Sequence, residues 1–240
     1  MRSVVLAIAA LLVAVTVAFA RAPSLDPVPP PPSPTPTAAE TATPDATAGP
    51  EVPPDFAAIT WRRSRALGAP AGGRLQRGVK LPALGEDFFT WDPIHNRIPN
   101  RAWRRYGTDR LVRTILTVVH AYRTERDGAQ RVGIMDLSRT HGGLFGRNFG
   151  GLGHASHQNG LDADILYPRK DGREARAVKP SQVDRKLAQD LVDRFVDAGA
   201  VKVFVGPHLH LKGPKDVVVP LIYHDDHLHV RISAPRRARR

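Results

Sequence analysis

Histidine and aspartate are concentrated in two short segments of this 240-residue sequence. Five of the ten histidines lie in these segments: His154 and His157 in the first, and His224, His227 and His229 in the second. Imidazole nitrogens and carboxylate oxygens bind zinc, and a catalytic zinc site has three protein ligands with a fourth position open to water. Because the sequence contains no cysteine, a zinc site could use only His, Asp and Glu.

The second segment acquires a defined geometry if it forms a β-strand. Side chains alternate along a strand, so His227, His229 and Arg231 share one face. The opposite, core-facing side would carry the apolar residues Leu228, Val230 and Ile232. On strand geometry alone, both His227 and His229 could ligate one ion.

The first segment is also predicted to be a strand, preceded by a loop. Alternation places Asp162 and Asp164 on the same face, and a buried strand carries two carboxylates only where something cationic meets them. Gly160 allows the loop that carries His157 to turn back over the strand. Candidates to hold an imidazole through its second nitrogen are Asp162, Asp225 and Asp226; the alternative is that these are ordinary strand-end or turn acids.

The remaining histidines are assigned no role in chemistry. His208-Leu209-His210 repeats the His-x-His spacing, but Gly206-Pro207 before it and Gly213-Pro214 after it indicate an exposed loop. Isolated histidines are more often packed or solvated than functional, and we expect that of His95, His120 and His141.

The elements that must position the two segments indicate an α+β fold, with a small antiparallel sheet and flanking helices. Thr108 is a candidate cap for a helix that continues to about Arg126, and Ser181 with Asp184 resembles a capping box for a helix that ends at Gly199. Strands are predicted at Val132 to Leu137, Leu161 to Tyr167, Val201 to Val205, Asp216 to Tyr223 and His227 to Ile232.

Charge and composition divide the chain into four parts. Met1 to Ala22 is basic and then apolar with small residues at its end, which predicts a signal peptide, or else an uncleaved anchor. Residues 23–57, rich in Pro, Thr and Ala, are predicted to be a disordered linker. Residues 58–235 form the expected catalytic domain and 236–240 a basic tail. A secreted body with a net positive charge favours an acidic cell-wall polymer as partner, not nucleic acid.

Taken together, the two histidine segments resemble those of a known family. The segments GHASHQNGLDADI (153–165) and HDDHLHVRI (224–232) are similar to the penicillin-insensitive murein endopeptidases, which belong to the LAS group of zinc metallopeptidases. Residues 67–82 and 136–143 also look like that family, and the resemblance covers roughly residues 64–235. The sequence differs from some relatives, which carry cysteine pairs.

The resemblance implies a role for each site residue. It implies that His157, Asp164 and His229 bind Zn2+, that His227 is the catalytic histidine, and that His154 and His224 surround the site. It also implies that the substrate is contacted by Ser138, Arg139, Gly143 and Gln158. The implied fold is LAS metallopeptidase-like, and the implied reaction is hydrolysis of the D-alanyl–meso-diaminopimelyl cross-link of peptidoglycan in the periplasm or cell wall.

Three alternatives to this function remain open. A D,D-carboxypeptidase or dipeptidase with the same zinc chemistry would trim free stem peptides. A non-catalytic module would bind the wall without hydrolysing it. A zinc-storage protein is suggested only by the number of histidines, and the intact set of ligands with an open position argues against it. Oligomeric state is not predicted.

Overall fold

The computed structural model describes residues 52–146 and 154–234, which lie within one unit spanning Ala48–Arg240. The predicted signal peptide and basic tail, and almost all of the predicted linker, lie outside the described residues. Two α-helices are present, α1 at Asp109–Glu125 and α2 at Arg185–Asp197. The strands are β1 Arg65–Leu67, β2 Arg74–Gln76, β3 Val79–Lys80, β4 Phe88–Thr90, β5 Tyr106–Gly107, β6 Val132–Ile134, β7 Asp162–Leu166, β8 Ala200–Val205, β9 Val218–Pro220 and β10 His227–Ile232.

Six of the strands form the main sheet, in the order β4-β6-β7-β10-β8-β9. The pairings β6–β7, β7–β10 and β10–β8 are antiparallel, whereas β4–β6 and β8–β9 are parallel. The α+β prediction is therefore confirmed, but the sheet is mixed and not antiparallel throughout. The error came from reading closeness along the chain as a hairpin: residues 206–217 return the chain to the start of β8, so β9 runs beside β8 in the same direction.

Helix α1 forms as its sequence predicts. The Thr108 hydroxyl accepts a hydrogen bond from the Leu111 amide at 3.1 Å and so caps the first turn. The predicted apolar face is buried: Leu111, Val112, Ile115, Leu116, Val119 and Tyr122. This face packs in the same core as the apolar residues of β7 and β10, so the helix covers one side of the main sheet.

Helix α2 begins later than predicted. Ser181 lies in a 3-10 turn, Pro180–Gln182, and Val183 then has extended backbone that separates the turn from the helix. The cap is Asp184, whose carboxylate accepts hydrogen bonds from the amides of Lys186 and Leu187 at 3.0 and 3.1 Å. The stop is as predicted, because Gly199 follows the helix with a φ of 82°, a left-handed conformation that favours glycine.

Ordered structure also precedes residue 58, where the sequence placed the end of the linker. Pro54–Ala58 is a 3-10 turn, and the Asp55 carboxylate accepts a hydrogen bond from the Glu86 amide at 3.1 Å. The Phe56 ring packs edge-on against Trp61, with 5.2 Å between centroids. One large aromatic residue and one acid are therefore sufficient to attach the end of this polar segment to the domain.

Candidate metal centre

Strands β7 and β10 bring the two histidine and aspartate segments together. In their antiparallel register His229 lies directly opposite Asp164, and Val230 lies opposite Ala163. Directly opposed residues share a face of the sheet, so His229 and Asp164 lie on the face away from the apolar core. The alternation predicted from the sequence is confirmed: Leu228, Val230 and Ile232 are buried in the core.

His157 reaches the same point from a loop. Its backbone has a φ of 68°, an unusual conformation for a residue with a side chain, and its side chain is fully buried. Gly160, with a φ of 76°, turns the chain into β7, as predicted. His157 Nδ1 donates a hydrogen bond to the Leu137 carbonyl at 2.7 Å. Its Nε2 is then left with a lone pair facing β7 and β10.

Three potential ligand atoms form a nearly equilateral triangle. The Asp164 Oδ1 atom is 3.2 Å from His157 Nε2 and 3.1 Å from His229 Nδ1, and the two nitrogens are 3.2 Å apart. Ligands bound tetrahedrally at zinc distances of 2.0–2.1 Å would be about 3.3 Å apart. The spacing of these three atoms is therefore compatible with one metal ion bound by all three residues.

The buried Asp164 carboxylate needs a positive partner. It is 1% exposed, and neither oxygen has a hydrogen-bond partner among the described residues. His229 Nε2 is 2.8 Å from Asp162 Oδ1, a contact that fixes the imidazole and turns Nδ1 toward Asp164. Burial lowers the pKa of His229, but the hydrogen bond to Asp162 and the nearby negative charge of Asp164 outweigh burial and raise the pKa to about 9. The pocket thus favours positive charge at this point, which a metal cation would supply.

His154 offers a second combination of ligands. His154, His157 and Asp164 each present one ligand atom, and these atoms lie within 4.8 Å of one another. His154 is farther from the centre, with Nδ1 3.8 Å from Asp164 Oδ2, and its Nε2 is 2.8 Å from Asp136 Oδ2. Asp136 is itself fully buried and bonded to the Arg104 guanidinium. Burial raises the pKa of Asp136, but its bonds to Arg104 and His154 outweigh this and lower it to about 2.

His227 lies beside the triangle without being part of it. Its Nε2 is 3.7 Å from Asp164 Oδ1, and its Nδ1 is 2.7 Å from Asp226 Oδ1. Asp226 is also paired with Arg176 at 3.2 Å. His224 stands at the margin, where its ring centroid is 4.8 Å from that of His227 and its Nδ1 is 2.9 Å from the Ile222 carbonyl.

These side chains line one cavity of about 740 Å³, which we call the histidine cavity. A volume of this size can accept an extended ligand. Its rim contains exposed apolar residues, with Ile222 63% and Tyr223 87% exposed. The cavity therefore combines a polar floor with an apolar edge.

Comparison with known proteins identifies the family. Residues 66–211, more than half of the chain, match the family described as penicillin-insensitive murein endopeptidase. The chain belongs to this family. A protein of that name from Yersinia enterocolitica is 24% identical over 77% of this chain and 74% of its own length. Namesakes from Salmonella paratyphi C and Pectobacterium atrosepticum are 24% and 28% identical, over 75% and 50% of this chain and 73% and 51% of their own lengths.

Only the first of the two histidine segments lies within the residues that match the family. His154, His157 and Asp164 lie inside the matched residues, whereas the segment from His224 to His229 follows them. The structure connects the second segment to the matched region, because strand β10, which carries His227 and His229, is hydrogen-bonded along strand β7. Among the described residues, no helix has the length and apolar character needed to cross a membrane.

The four residues predicted to contact substrate do not line the histidine cavity in the described part of the chain. Ser138 is fully buried, Gln158 is 8% exposed, and Arg139 Nη1 donates to the Leu144 carbonyl at 2.8 Å. Gly143, whose amide donates to the Gln158 carbonyl, belongs to the same loop region. Their role as substrate contacts stays a prediction.

Sequence reasoning missed several residues of the cavity. Arg176 and Tyr223 carry no motif, and Asp136 was noted only as part of a family-like segment. The sequence did contain one indication that Tyr223 lies at the cavity: this large aromatic residue follows the apolar Leu221 and Ile222 and directly precedes His224. The predicted loop histidines His208 and His210 are exposed and lie outside the cavity, as expected.

Proposed function

We propose that this protein is a zinc-dependent endopeptidase that hydrolyses amide bonds in the peptide cross-links of peptidoglycan, at the D-alanyl–meso-diaminopimelyl bond. The observation that carries the proposal is the buried Asp164 carboxylate, which has no hydrogen-bond partner among the described residues and faces two imidazole nitrogens at 3.1–3.2 Å. The relatives' name, murein endopeptidase, supports the substrate class.

In this proposal His157, Asp164 and His229 hold the metal. Two imidazoles and one carboxylate suit zinc and leave a fourth position open. His229 is preferred to His154 because its Nδ1 is 3.1 Å from Asp164 Oδ1, whereas His154 approaches that carboxylate no closer than 3.8 Å. Asp162 and the Leu137 carbonyl fix the orientations of the two ligand imidazoles.

His227 is the proposed proton acceptor. When bound, zinc would polarise the scissile carbonyl and lower the pKa of a coordinated water towards about 7. His227 Nε2 faces this point and accepts a proton there, while Asp226 at 2.7 Å from Nδ1 orients the ring and stabilises its protonated form. Arg176 holds Asp226 in place at 3.2 Å.

His154 and His224 have different proposed roles. Burial lowers the pKa of His154, but its bond to Asp136 outweighs burial and raises the pKa above its usual value, which favours the protonated ring. In this proposal His154 donates a hydrogen bond to a substrate oxygen. Burial lowers the pKa of His224, which favours a neutral ring at the cavity margin. Its place between His227 and the apolar rim suits a contact with the substrate backbone.

The proposal includes the location and the fold type. A substrate in the cell wall requires an extracytoplasmic protein, which agrees with a signal peptide at 1–22, a linker at 23–57 and a catalytic domain at 58–235. The basic charge of the body would favour retention on a carboxylate-rich polymer. We also assign the mixed sheet to the LAS type, because the proposed ligands come from a loop and two neighbouring antiparallel strands.

Metal content and product analysis together test the proposal. The wild-type protein should contain about one zinc per chain and should release cross-link cleavage products from purified sacculi. Asp164→Ala should lose both properties, whereas the matched control Asp171→Ala, on an exposed turn, should retain both. Circular dichroism checks that Asp164→Ala is folded, and Asp164→Asn serves if it is not.

The substrates separate the proposed reaction from its nearest rival. Cross-linked dimers should be cut and pentapeptide monomers left intact. Trimming of monomers alone would assign the protein to the carboxypeptidases. A folded wild-type protein that binds sacculi but neither holds zinc nor cuts cross-links would exclude the enzyme altogether.

A further inference from the structure

A second cavity, of about 510 Å³, lies beside the small sheet formed by β3 and β5. It shares no lining residue with the histidine cavity. The residues that line it include four side chains with permanent positive charge and no acid: Arg62, Arg77, Lys80 and Arg105. We call it the basic cavity. Its volume lies within the range of small-ligand sites.

The most informative of these side chains is Arg105. It is 7% exposed, and its Nη1 donates a hydrogen bond to the Leu81 carbonyl at 2.6 Å. Its Nε has no hydrogen-bond partner among the described residues, and no described carboxylate forms an ion pair with it. Buried charges in proteins are normally paired, because removing an ion from water without a partner is costly.

The neighbouring residue makes the contrast clear. Arg104 is fully buried and is paired with the Asp136 carboxylate on the side of the histidine cavity. Arg105, the next residue, lines the basic cavity and has no such partner there. Burial lowers the pKa of Arg105, which is the direction expected of a buried cation without a negative partner.

The other three cations strengthen the same field. Arg62, Arg77 and Lys80 are exposed, and none of them forms an ion pair with a described carboxylate. Charges of one sign along a concave surface reinforce one another and concentrate counter-ions. Four positive charges without an acid favour an anion with more than one negative charge, and a phosphate group at neutral pH carries about −1.5 to −2 with three acceptor oxygens.

We propose that the basic cavity is a phosphate-binding site in which the buried Arg105 guanidinium is the anchor and Arg62, Arg77 and Lys80 complete the charge. Guanidinium binds phosphate through paired N–H donors, and the Arg105 Nε without a partner can provide one of them. The phosphate could belong to a free anion or to a lipid headgroup. This site is separate from the proposed zinc centre and does not depend on its activity.

Calorimetric titration of the full-length, metal-loaded protein with inorganic phosphate tests the site. We expect one saturable site, and we expect Arg105→Met to weaken binding at least about tenfold, the loss of a charge-assisted contact. The matched control Arg63→Met removes an equal charge from an exposed arginine outside the cavity and should leave the affinity unchanged. Asp164→Ala should also bind normally, which separates this site from the zinc centre.

Further experiments identify the source of the phosphate and keep the test valid if a variant does not fold. If Arg105→Met does not fold, the double variant Arg62→Gln/Lys80→Gln, compared with Arg63→Gln/Arg65→Gln, provides the same contrast on exposed residues. Vesicles that contain phosphatidic acid, whose phosphomonoester carries more than one negative charge, would identify a lipid source if they bind the wild type more tightly than Arg105→Met; binding of free phosphate alone would identify a soluble one. The proposal is overturned if phosphate does not saturate, if acetate binds equally well, or if cavity and control variants weaken binding equally.

Discussion

The histidine cavity and the basic cavity are opposite in chemistry although two consecutive residues, Arg104 and Arg105, contribute to them. Both cavities contain buried atoms without a hydrogen-bond partner among the described residues: the Asp164 carboxylate oxygens and Arg176 Nε in the histidine cavity, and Arg105 Nε in the basic cavity. Buried polar groups in folded proteins nearly always have partners. Arg176 is already paired with Asp226 through Nη1. Asp164 and Arg105 have no such permanently charged partner among the described residues, so each indicates the sign of a missing ligand: a cation for Asp164 and an anion for Arg105.

The two cavities also differ in how their residues are supported. In the histidine cavity almost every functional side chain has a second contact that fixes it, such as Asp162 on His229 or Asp226 on His227. In the basic cavity only Arg105 is fixed, by the Leu81 carbonyl, and the other cations are exposed. Side chains fixed by second contacts suit a reaction, whereas a buried anchor with exposed charges around it suits binding alone.

The largest expected effect is on catalysis in the histidine cavity. His227→Ala should lower turnover of cross-linked dimers by about 10²–10⁴-fold, because it removes a general base. Zinc content should remain at the wild-type level, since His227 lies outside the ligand triangle. Mass-spectrometric product analysis measures the first quantity, and metal analysis the second.

His208→Ala is the matched control for that variant. His208 also pairs with an aspartate, Asp225, at 2.6 Å, but it is exposed and outside the cavity. The His208→Ala variant should turn over cross-linked dimers at the wild-type rate. Loss of zinc in His227→Ala would instead assign this residue to the ligand set and remove the proposed division of roles.

The next effect concerns stability and compares the two neighbouring arginines directly. Arg104→Met should reduce the free energy of unfolding by about 3–5 kcal/mol, because it removes the one permanently charged partner of the buried Asp136 carboxylate among the described residues and leaves it only His154 and Asn100. Arg105→Met should cost no more than about 1.5 kcal/mol, since it removes one hydrogen bond and leaves no carboxylate unpaired. Urea unfolding of both variants in phosphate-free buffer measures the difference.

Equal destabilisation by the two substitutions would contradict the comparison between the cavities. It would mean that Arg105 is paired in solution with a group outside the described residues. Addition of phosphate sharpens the test, because a ligand that binds the folded state stabilises it. Phosphate should therefore raise the stability of Arg104→Met but not that of Arg105→Met.

The spacing of apolar residues along the chain predicted those helices and strands that bury one face only. The apolar stripe of α1 and the alternation in β10 each follow from one buried side, and both were located from sequence. Asp184 was correctly associated with the start of α2, but as a partner of Ser181 and not as the cap itself, because the extended Val183 could not be read from the pattern.

Pairing between distant segments could not be predicted in the same way. The parallel pairing of β8 with β9 depends on the path of residues 206–217, which no periodicity records. The same holds for the basic cavity, where Arg62, Arg77 and Arg105 meet only after folding. The two histidine segments were an exception, because the metal site predicted from their residue types would require them to converge.

The smallest expected effect concerns the residue that orients a proposed ligand. Asp162→Asn should reduce zinc affinity by about 10–100-fold, because second contacts to a ligand imidazole are worth that much. His229 Nε2 would face a neutral amide in place of a carboxylate, and Arg231, now bonded to Asp162 at 2.6 Å, would lose its ion pair as well. Competition with a chromophoric chelator measures the affinity.

Asp190→Asn provides the control, because Asp190 likewise pairs with an arginine, Arg194 at 2.8 Å, but on helix α2. Its zinc affinity should be unchanged. Phosphate binding should be the same in both variants, since neither residue lines the basic cavity. If Asp162→Asn instead bound zinc as tightly as the wild type, His229 would not depend on Asp162 for its orientation, and His154 would become the better candidate for the third ligand.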